Sequence, residues 1–216
     1  MNRKALHARV VLLDWDGTLL NSYASDQRAY LAMFRAIGVQ WSVREIDRHY
    51  SPDWYQVYRA ARIPRPDWAR ADRLWRAAYR CERPCLLTGA RAALRILERR
   101  FVLGLVTAGS RGRVRQQLRE FGLGDLFSAR VFSEDSPRKK PHPAPLQIAL
   151  RRLGAKPQEC VYVGDTPEDI EMARRAGMRA IGVLGPFPTA GRIRGAEPDL
   201  LLRSIRDLPR YLVRLD

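Results

Sequence analysis

A short apolar run near the beginning of the chain ends in two closely spaced carboxylates. Val10 to Leu13 has the length and the β-branched content of a buried strand, and it leads directly into Asp14-Trp15-Asp16-Gly17-Thr18. Side chains two positions apart on an extended segment point to the same side, so Asp14 and Asp16 would emerge together. Because open α/β sheets build their sites at the carboxyl ends of strands, this run predicts a site in an α/β fold.

An Asp-x-Asp-Gly sequence alone is more often a tight turn than a site, and a second apolar run changes that balance. Cys160 to Val163 is followed by Gly164-Asp165, and Asp169 lies four residues further on. Pro167 suits the first turn of a helix. A capped helix start explains the proline, but it does not explain why Asp165 and Asp169 should join two more acids at a strand end.

Two other segments carry groups suited to binding an anion. The apolar run Phe101 to Val106 leads into Thr107-Ala108-Gly109-Ser110, a hydroxyl and small residues that let backbone N–H groups approach a ligand. Lys140 is one of only four lysines among 39 basic residues. It precedes Pro141, which favours extended backbone and would project the lysine side chain from a loop. Each segment alone is ordinary, as an α/β connection or a solvated basic turn.

Together, in order and spacing, the four segments resemble the motifs of the haloacid dehalogenase superfamily, a group of aspartyl-phosphate phosphohydrolases. The resemblance covers about residues 8–185. It implies that Asp14 is the nucleophile and Asp16 the general acid and base. It also implies that Thr107 and Lys140 stabilise the transferred phosphate. The phosphate-binding residues that we assign on this basis are Gly17, Thr107, Ala108, Gly109 and Lys140.

The same resemblance implies a Mg²⁺ ion, which would offset the repulsion between Asp14 and a phosphate dianion. We assign Asp14 and Asp165 as side-chain ligands, and the backbone carbonyl of Asp16 would also bind the ion. Asp169 would either complete the outer coordination of the metal or hold Lys140.

Two departures from the family pattern are Trp15, which we interpret as packing beneath the site, and Ala108-Gly109, where many relatives carry Asn.

The presence of Asp16 favours phosphate ester hydrolysis or phosphosugar mutation, because by resemblance the dehalogenase branch lacks this second acid. The leading hypothesis is a Mg²⁺-dependent phosphatase acting on a small phosphorylated metabolite, similar to phosphoglycolate phosphatases. A phosphosugar mutase of the same superfamily is the alternative. A non-catalytic or nucleic-acid-binding role is disfavoured, since a scaffold has no physical need for Asp14, Asp16, Lys140 and Asp165 together.

Apolar runs alternate with helical patterns over most of the chain. Strands are predicted near 9–13, 101–106, 130–133, 160–163 and 180–184, with a weaker one near 199–202. Helices are predicted at about 88–99, 111–121, 143–153, 167–176 and 204–213. This alternation predicts a Rossmann-like α/β core of three layers, in which helices cover both faces of a parallel sheet.

Residues 20–86 interrupt this alternation, carry no obvious strand, and are much longer than the dozen or so residues that a crossover requires. Helical patterns cover Ser25 to Ile37, Val43 to His49, Trp54 to Ala61 and Pro66 to Arg80. We therefore predict a small α-helical cap domain at 20–86, inserted into a catalytic core of 1–19 and 87–216. Candidates for substrate contact in the cap are Asn21 to Tyr23, His49 to Pro52, Arg59 and Arg62.

The formal charge of +16 and the pI of about 10.8 raise the question of a nucleic-acid partner. The basic residues are scattered, with no tail and no basic–aromatic motif, so we expect no specific nucleic acid and only nonspecific binding at low salt. No apolar run approaches the ~20 residues of a membrane span. The three sparse cysteines predict a reduced, cytoplasmic setting.

Overall fold

A computed structural model describes residues 6–214, so the first five and last two residues of the predicted core domain lie outside the described residues. The strands are β1 (Leu6–Ala8), β2 (Val10–Leu13), β3 (Leu20–Asn21), β4 (Cys85–Leu86), β5 (Val102–Val106), β6 (Ala129–Val131), β7 (Cys160–Gly164), β8 (Arg179–Val183), β9 (Leu200–Leu202) and β10 (Leu212–Arg214). The α-helices are α1 (Tyr23–Ala36), α2 (Val43–His49), α3 (Trp54–Ala60), α4 (Trp68–Tyr79), α5 (Ala90–Leu97), α6 (Arg111–Glu120), α7 (Ala144–Leu153), α8 (Pro167–Arg175) and α9 (Ala190–Gly195). Short 3₁₀ segments cover Arg65–Asp67, Ser133–Asp135, Pro157–Glu159 and Ile205–Arg210.

The central sheet has six parallel strands in the order β6-β5-β2-β7-β8-β9. Successive residues of β2 face opposite sides: Val11 and Leu13 join one buried apolar cluster, and Val10 and Leu12 join the other. Helices therefore cover both faces, which confirms the predicted three-layer α/β core.

The strand order explains where a site can form. β5 pairs with β2 on one side, and β7 pairs with β2 on the other. The loops after β2, β5 and β7 therefore leave neighbouring strands at the same edge of the sheet, the position at which open α/β sheets bind ligands.

The helices α1 to α4 have an apolar core of their own, which includes Met33, Phe34, Val57 and Tyr58. The chain enters and leaves this helical segment through β3 and β4, which pair antiparallel with Leu20 opposite Leu86. The segment therefore forms a separate helical layer, and the paired strands β3 and β4 connect it to the rest of the chain. The exact domain limits, 20–86 against 1–19 and 87–216, stay a prediction.

The sequence prediction was wrong at four places, three of which are short elements that it missed. Residues 20–86 do contain strands, but β3 and β4 have two residues each, too few for a periodic pattern. The short α9 and the β1–β10 pair were missed.

The predicted helix at 204–213 is instead a 3₁₀ segment followed by β10. Pro209 lies inside that segment and lacks the N–H that an α-helix would need there. Ile205, Leu208 and Leu212 are buried in the core, so their apolar spacing reflects packing rather than an α-helix.

Every helix within residues 6–214 lacks the length and apolar character needed to cross a bilayer.

Candidate active site

Acidic residues that follow β2 and β7 meet a single lysine at the carboxyl end of the sheet. Lys140 Nζ lies 2.9 Å from Asp14 Oδ2 and 2.7 Å from Asp169 Oδ1. All three side chains are buried. Burial alone would lower the pKa of Lys140, but the two carboxylates raise it above its ordinary value, so the ammonium stays charged. Asp14 is more than a hundred positions from the other two residues in sequence, and the fold brings the three together.

The carboxylates of Asp14, Asp165 and Asp169 form a buried cluster, in which one oxygen of each lies within 4.8 Å of the others. The oxygens of Asp169 are already engaged. Besides Lys140, Oδ1 accepts a hydrogen bond from the Tyr162 hydroxyl (3.1 Å), and Oδ2 accepts from the backbone N–H (3.1 Å) and hydroxyl (2.7 Å) of Thr166. This arrangement places Asp169 where it holds Lys140, one of the two roles expected for it.

Two carboxylate oxygens of the cluster are left without a partner. Among the described residues, buried Asp14 Oδ1 and Asp165 Oδ2 have no hydrogen-bond donor. Burial raises the pKa of Asp14 to about 7 although Lys140 opposes the rise, and burial together with Asp169 raises the pKa of Asp165 well above its ordinary value. Hard oxygen donors that are buried, clustered and unpartnered fit a divalent cation such as Mg²⁺.

Gly17 is required by the position of Asp165. Its φ is +78°, and a Cβ at this position would lie 2.2 Å from Asp165 Oδ2. The neighbouring Thr18 hydroxyl donates to Asp165 Oδ1 at 3.0 Å, so the turn after β2 orients a residue that follows β7. The Gly17 N–H donates to the Leu20 carbonyl (2.8 Å), and the phosphate contact assigned to Gly17 stays a prediction.

The loop after β5 lines one cavity together with Asp14, Asp16 and Lys140. Its members in that cavity are Thr107, Ala108, Gly109 and Ser110. The Thr107 hydroxyl accepts a hydrogen bond from the Gly109 N–H (3.0 Å), which fixes the side chain in the loop.

Arg113 of α6 is the main residue of this cavity that the sequence analysis missed. Its guanidinium forms a bidentate pair with Asp16, with Nη1–Oδ1 at 2.9 Å and Nη2–Oδ2 at 2.6 Å. Burial alone would raise the pKa of Asp16, but Arg113 outweighs this effect and holds that pKa below its ordinary value. The pair therefore favours the ionised form of Asp16.

Residues of the core and of the helical segment hold Arg113 in place. Its guanidinium lies over the Tyr79 ring of α4, 4.9 Å from the centroid. Gln117 Oε1 accepts from Arg113 Nη1 (3.4 Å) and from Trp15 Nε1 (2.8 Å). A Cβ on Gly109 would lie 2.5 Å from Arg113 Nη2. Of the two departures from the family pattern, Gly109 thus adjoins this arginine directly, and Trp15 reaches it through Gln117. Trp15 is buried as expected.

The helical segment supplies the opposite wall of the cavity. Ser22, Tyr50, Ser51 and Pro52 line it, as expected for two of the candidate segments. Arg59 and Arg62 are absent from the lining of this cavity among the described residues, and the Arg59 guanidinium lies over Trp68. These two candidates therefore do not border the cavity.

Comparison with known proteins agrees with this geometry. The family model described as "haloacid dehalogenase-like hydrolase" matches residues 11–183. The pyrophosphatase PpaX of Bacillus pumilus is 31% identical over 216 residues, covering 96% of this chain and 97% of that protein. The phosphoglycolate phosphatase of Pectobacterium atrosepticum is 38% identical over 87 residues, covering 40% of this chain and 37% of that protein.

A solved structure has the same fold. The haloacid dehalogenase-like family hydrolase of Streptococcus pneumoniae superposes with a TM-score of 0.82 at 19% identity, covering 98% of this chain and 99% of that one. The family match spans most of the chain, including the segments that follow β2, β5 and β7. The resemblance inferred from the motifs is thereby confirmed, and the chain belongs to the haloacid dehalogenase-like hydrolase family.

Proposed function

We propose that this hydrolase is a Mg²⁺-dependent phosphatase that acts on a small phosphorylated metabolite through an aspartyl-phosphate on Asp14. One observation carries the proposal: Asp14 and Asp165 each have an unpartnered oxygen in one buried cluster, and Lys140 holds the other oxygen of Asp14. Asp14 also borders the cavity that Thr107 and Asp16 line. A nucleophile, a cation, a hydroxyl and a second acid therefore border one space.

Asp14 is the proposed nucleophile. A carboxylate oxygen of Asp14 attacks phosphorus, the bond between phosphorus and the ester oxygen breaks, and the alcohol departs. Water then attacks the aspartyl-phosphate, releasing phosphate and restoring the carboxylate. Oδ1 of Asp14 has no hydrogen-bond partner, while Oδ2 is held by Lys140, so the side chain is oriented before substrate binds.

Asp16 is the proposed acid and base. It gives a proton to the departing alcohol and takes one from the attacking water. The Arg113 pair stabilises the ionised carboxylate, the form that accepts the proton of water. We propose that Arg113 keeps the ionised Asp16 turned into the cavity, so that Asp16 must take up a proton against this pair before it protonates the departing alcohol.

Lys140 and the Thr107 hydroxyl would stabilise charge on the phosphate oxygens in the transition state. The Mg²⁺ ion would be held by Asp14, Asp165 and the backbone carbonyl of Asp16, and when bound it supplies positive charge that offsets the phosphate dianion. Asp169 would keep Lys140 in position from the other side.

We propose that the helical segment 20–86 acts as a cap over the core. The cavity lies between α1, α3 and α4 on one side and the carboxyl ends of the strands on the other. The paired strands β3 and β4 form the two connections, a suitable hinge. Closure would exclude water during the first step.

Removal of the metal is expected to abolish activity. Dialysis against EDTA should stop phosphate release from an aryl phosphate, and added Mg²⁺ should restore it, because the buried carboxylates need a cation to act together. Phosphate release measured before and after adding the metal checks this. Turnover that persists in the chelator would contradict the proposed metal role.

Asp16→Ala is expected to separate the two halves of the reaction. The variant should lose about 10²–10⁴-fold in ester hydrolysis, the usual contribution of a positioned acid or base. Phosphorylation of Asp14 by acetyl phosphate should be much less affected, because that leaving group is a weak base. Comparable losses in both measurements would speak against an acid and base role for Asp16.

The mutase alternative shares Asp14 and Asp16 and differs in the fate of the phosphate. A mutase returns it to the sugar, whereas a phosphatase releases it. Steady release of free phosphate without a bisphosphorylated sugar activator would support the phosphatase.

A further inference from the structure

The cavity above Asp14 continues into the helical segment, where its walls are mainly aromatic. Six aromatic side chains of that segment line the cavity: Tyr30, Tyr50, Trp54, Tyr58, Trp75 and Tyr79. Phe187 of the core lines the cavity as well, and its ring stacks on Tyr50 with the centroids 4.5 Å apart. Aromatic walls bury planar and apolar groups well, and their negative ring faces do not replace the hydration of a small anion.

Two carboxylates border the same part of the cavity. Asp26 comes from the first turn of α1 and Asp72 from α4. Asp72 accepts a hydrogen bond from the Tyr58 hydroxyl (2.9 Å) and lies 4.0 Å from Arg76 Nη2. Among the ion pairs of residues 6–214, none includes Asp26. The helical segment therefore offers acceptors to a ligand.

Each cation that lines the cavity already faces a carboxylate. Lys140 lies between Asp14 and Asp169, and Arg113 is held by Asp16 through both of its terminal nitrogens. The third cation, Arg76, is half exposed and lies 4.0 Å from Asp72. A leaving group such as glycolate or phosphate would bring a further negative charge beside Asp16, and each cation of the lining already has a carboxylate near it.

We propose that the alcohol released by this enzyme carries a ring and several hydrogen-bond donors, as a hexose or a nucleoside does, and is uncharged or cationic. The inference rests on the phosphatase activity proposed above and names its substrate class. The ring packs against the aromatic walls, and hydroxyl or amino groups donate to Asp26 and Asp72. The substrate class thus differs from the activities in the names of the Bacillus and Pectobacterium relatives.

The test compares kcat/KM of the wild-type protein with Mg²⁺ for three kinds of substrate. The first is ring-bearing, represented by glucose 6-phosphate and adenosine 5′-monophosphate, which distinguish a sugar from a nucleoside. The second is small and anionic, represented by phosphoglycolate and pyrophosphate. Acetyl phosphate is the third and reports the chemistry itself. At least one ring-bearing substrate should exceed both small anions by about tenfold or more, the discrimination that one well-placed contact provides.

Variants of two aspartates locate the source of the preference. Asp26→Asn replaces the carboxyl group at the cavity wall by an amide and keeps the shape of the side chain. It should lower the ratio of kcat/KM for the preferred ring-bearing substrate to kcat/KM for acetyl phosphate by about tenfold. Asp125→Asn is the matched control at an exposed aspartate outside the cavity, and it should leave both values unchanged.

The outcomes are separable. Phosphoglycolate or pyrophosphate as the best substrate would overturn the inference while leaving the phosphatase activity intact. An unchanged ratio in Asp26→Asn would overturn the assignment of Asp26 to the leaving group. If acetyl phosphate and all four metabolites are inert with Mg²⁺, the proposed phosphatase activity itself fails.

Discussion

Asp14→Asn is expected to abolish hydrolysis of a generic aryl phosphate while the protein remains folded. The amide has the shape of the carboxylate but is a much poorer nucleophile, so kcat should fall by at least about 10⁴-fold, as when other catalytic nucleophiles are removed. Lys140 would still be paired with Asp169 at 2.7 Å, so the substitution leaves no buried ammonium unpaired. Phosphate release under saturating substrate and Mg²⁺ measures the effect.

Circular dichroism and the melting temperature of the same variant separate lost chemistry from lost structure. Asp125→Asn again serves as the control, because Asp125 is exposed and does not line the cavity. Turnover of Asp14→Asn close to that of the wild type would rule out Asp14 as the nucleophile. In that event the aspartyl-phosphate route would have to be abandoned, whatever the metal requirement.

The strands of the core could be predicted because each is an apolar run of suitable length. β2 and β7 are buried over their whole length, so their sequences contain few polar interruptions. β3 and β4 could not be predicted in the same way. They pair through two residues each, and what fixes them is the point at which the helical segment joins the core.

The acidic cluster with Lys140 could also be predicted from the sequence. Asp14 and Asp165 directly follow strands, Lys140 precedes a proline, and Asp169 lies four residues after Asp165, each in a recognisable motif. Arg113 was not. It is one of many arginines on a strongly basic chain, and no local pattern distinguishes it. Its importance comes from a contact with Asp16, 97 positions away, and from the space left by Gly109. Such a pairing depends on the packing of α6 against the turn after β2.

Asp26 illustrates a related limit. In sequence it is an acid in the first turn of α1, where an interaction with the helix dipole is a sufficient explanation. Its exposure to a cavity shared with Asp16 follows only from the way the helical segment lies on the core. The residues proposed to act at phosphorus can therefore be predicted from local motifs. The residues proposed to select the leaving group depend on how the helical segment packs on the core.

Lys140→Met and Lys139→Met are expected to differ sharply, although the two lysines are adjacent. Lys140 is buried between Asp14 and Asp169, and its loss would leave a cluster of buried carboxylates with no cation. Breaking a buried ion pair from one side typically destabilises a protein by about 3–5 kcal/mol. For a chain of this size, that corresponds to a fall in melting temperature of roughly 10 °C. Phosphate release should fall by about 10²–10³-fold as well, because the charge that stabilises the transferred phosphate is lost.

Lys139 is the matched control. Its Nζ donates to the Ser133 carbonyl (2.8 Å) and lies 5.0 Å from the centroid of the Trp54 ring, away from the acidic cluster. Lys139→Met keeps a side chain of similar length and should lower kcat far less than Lys140→Met, because half-buried Lys139 forms no ion pair with the acidic cluster among residues 6–214. Melting temperature and kcat, measured for both variants with and without Mg²⁺, make the comparison.

If Lys139→Met were the inactive variant, or if both were active, the ammonium assigned to the phosphate would be the wrong one. Asp14 and Asp165 could still bind the metal, but no lysine or arginine would then be assigned to the phosphate. Among the described residues, Lys140 is the only lysine or arginine that forms an ion pair with Asp14.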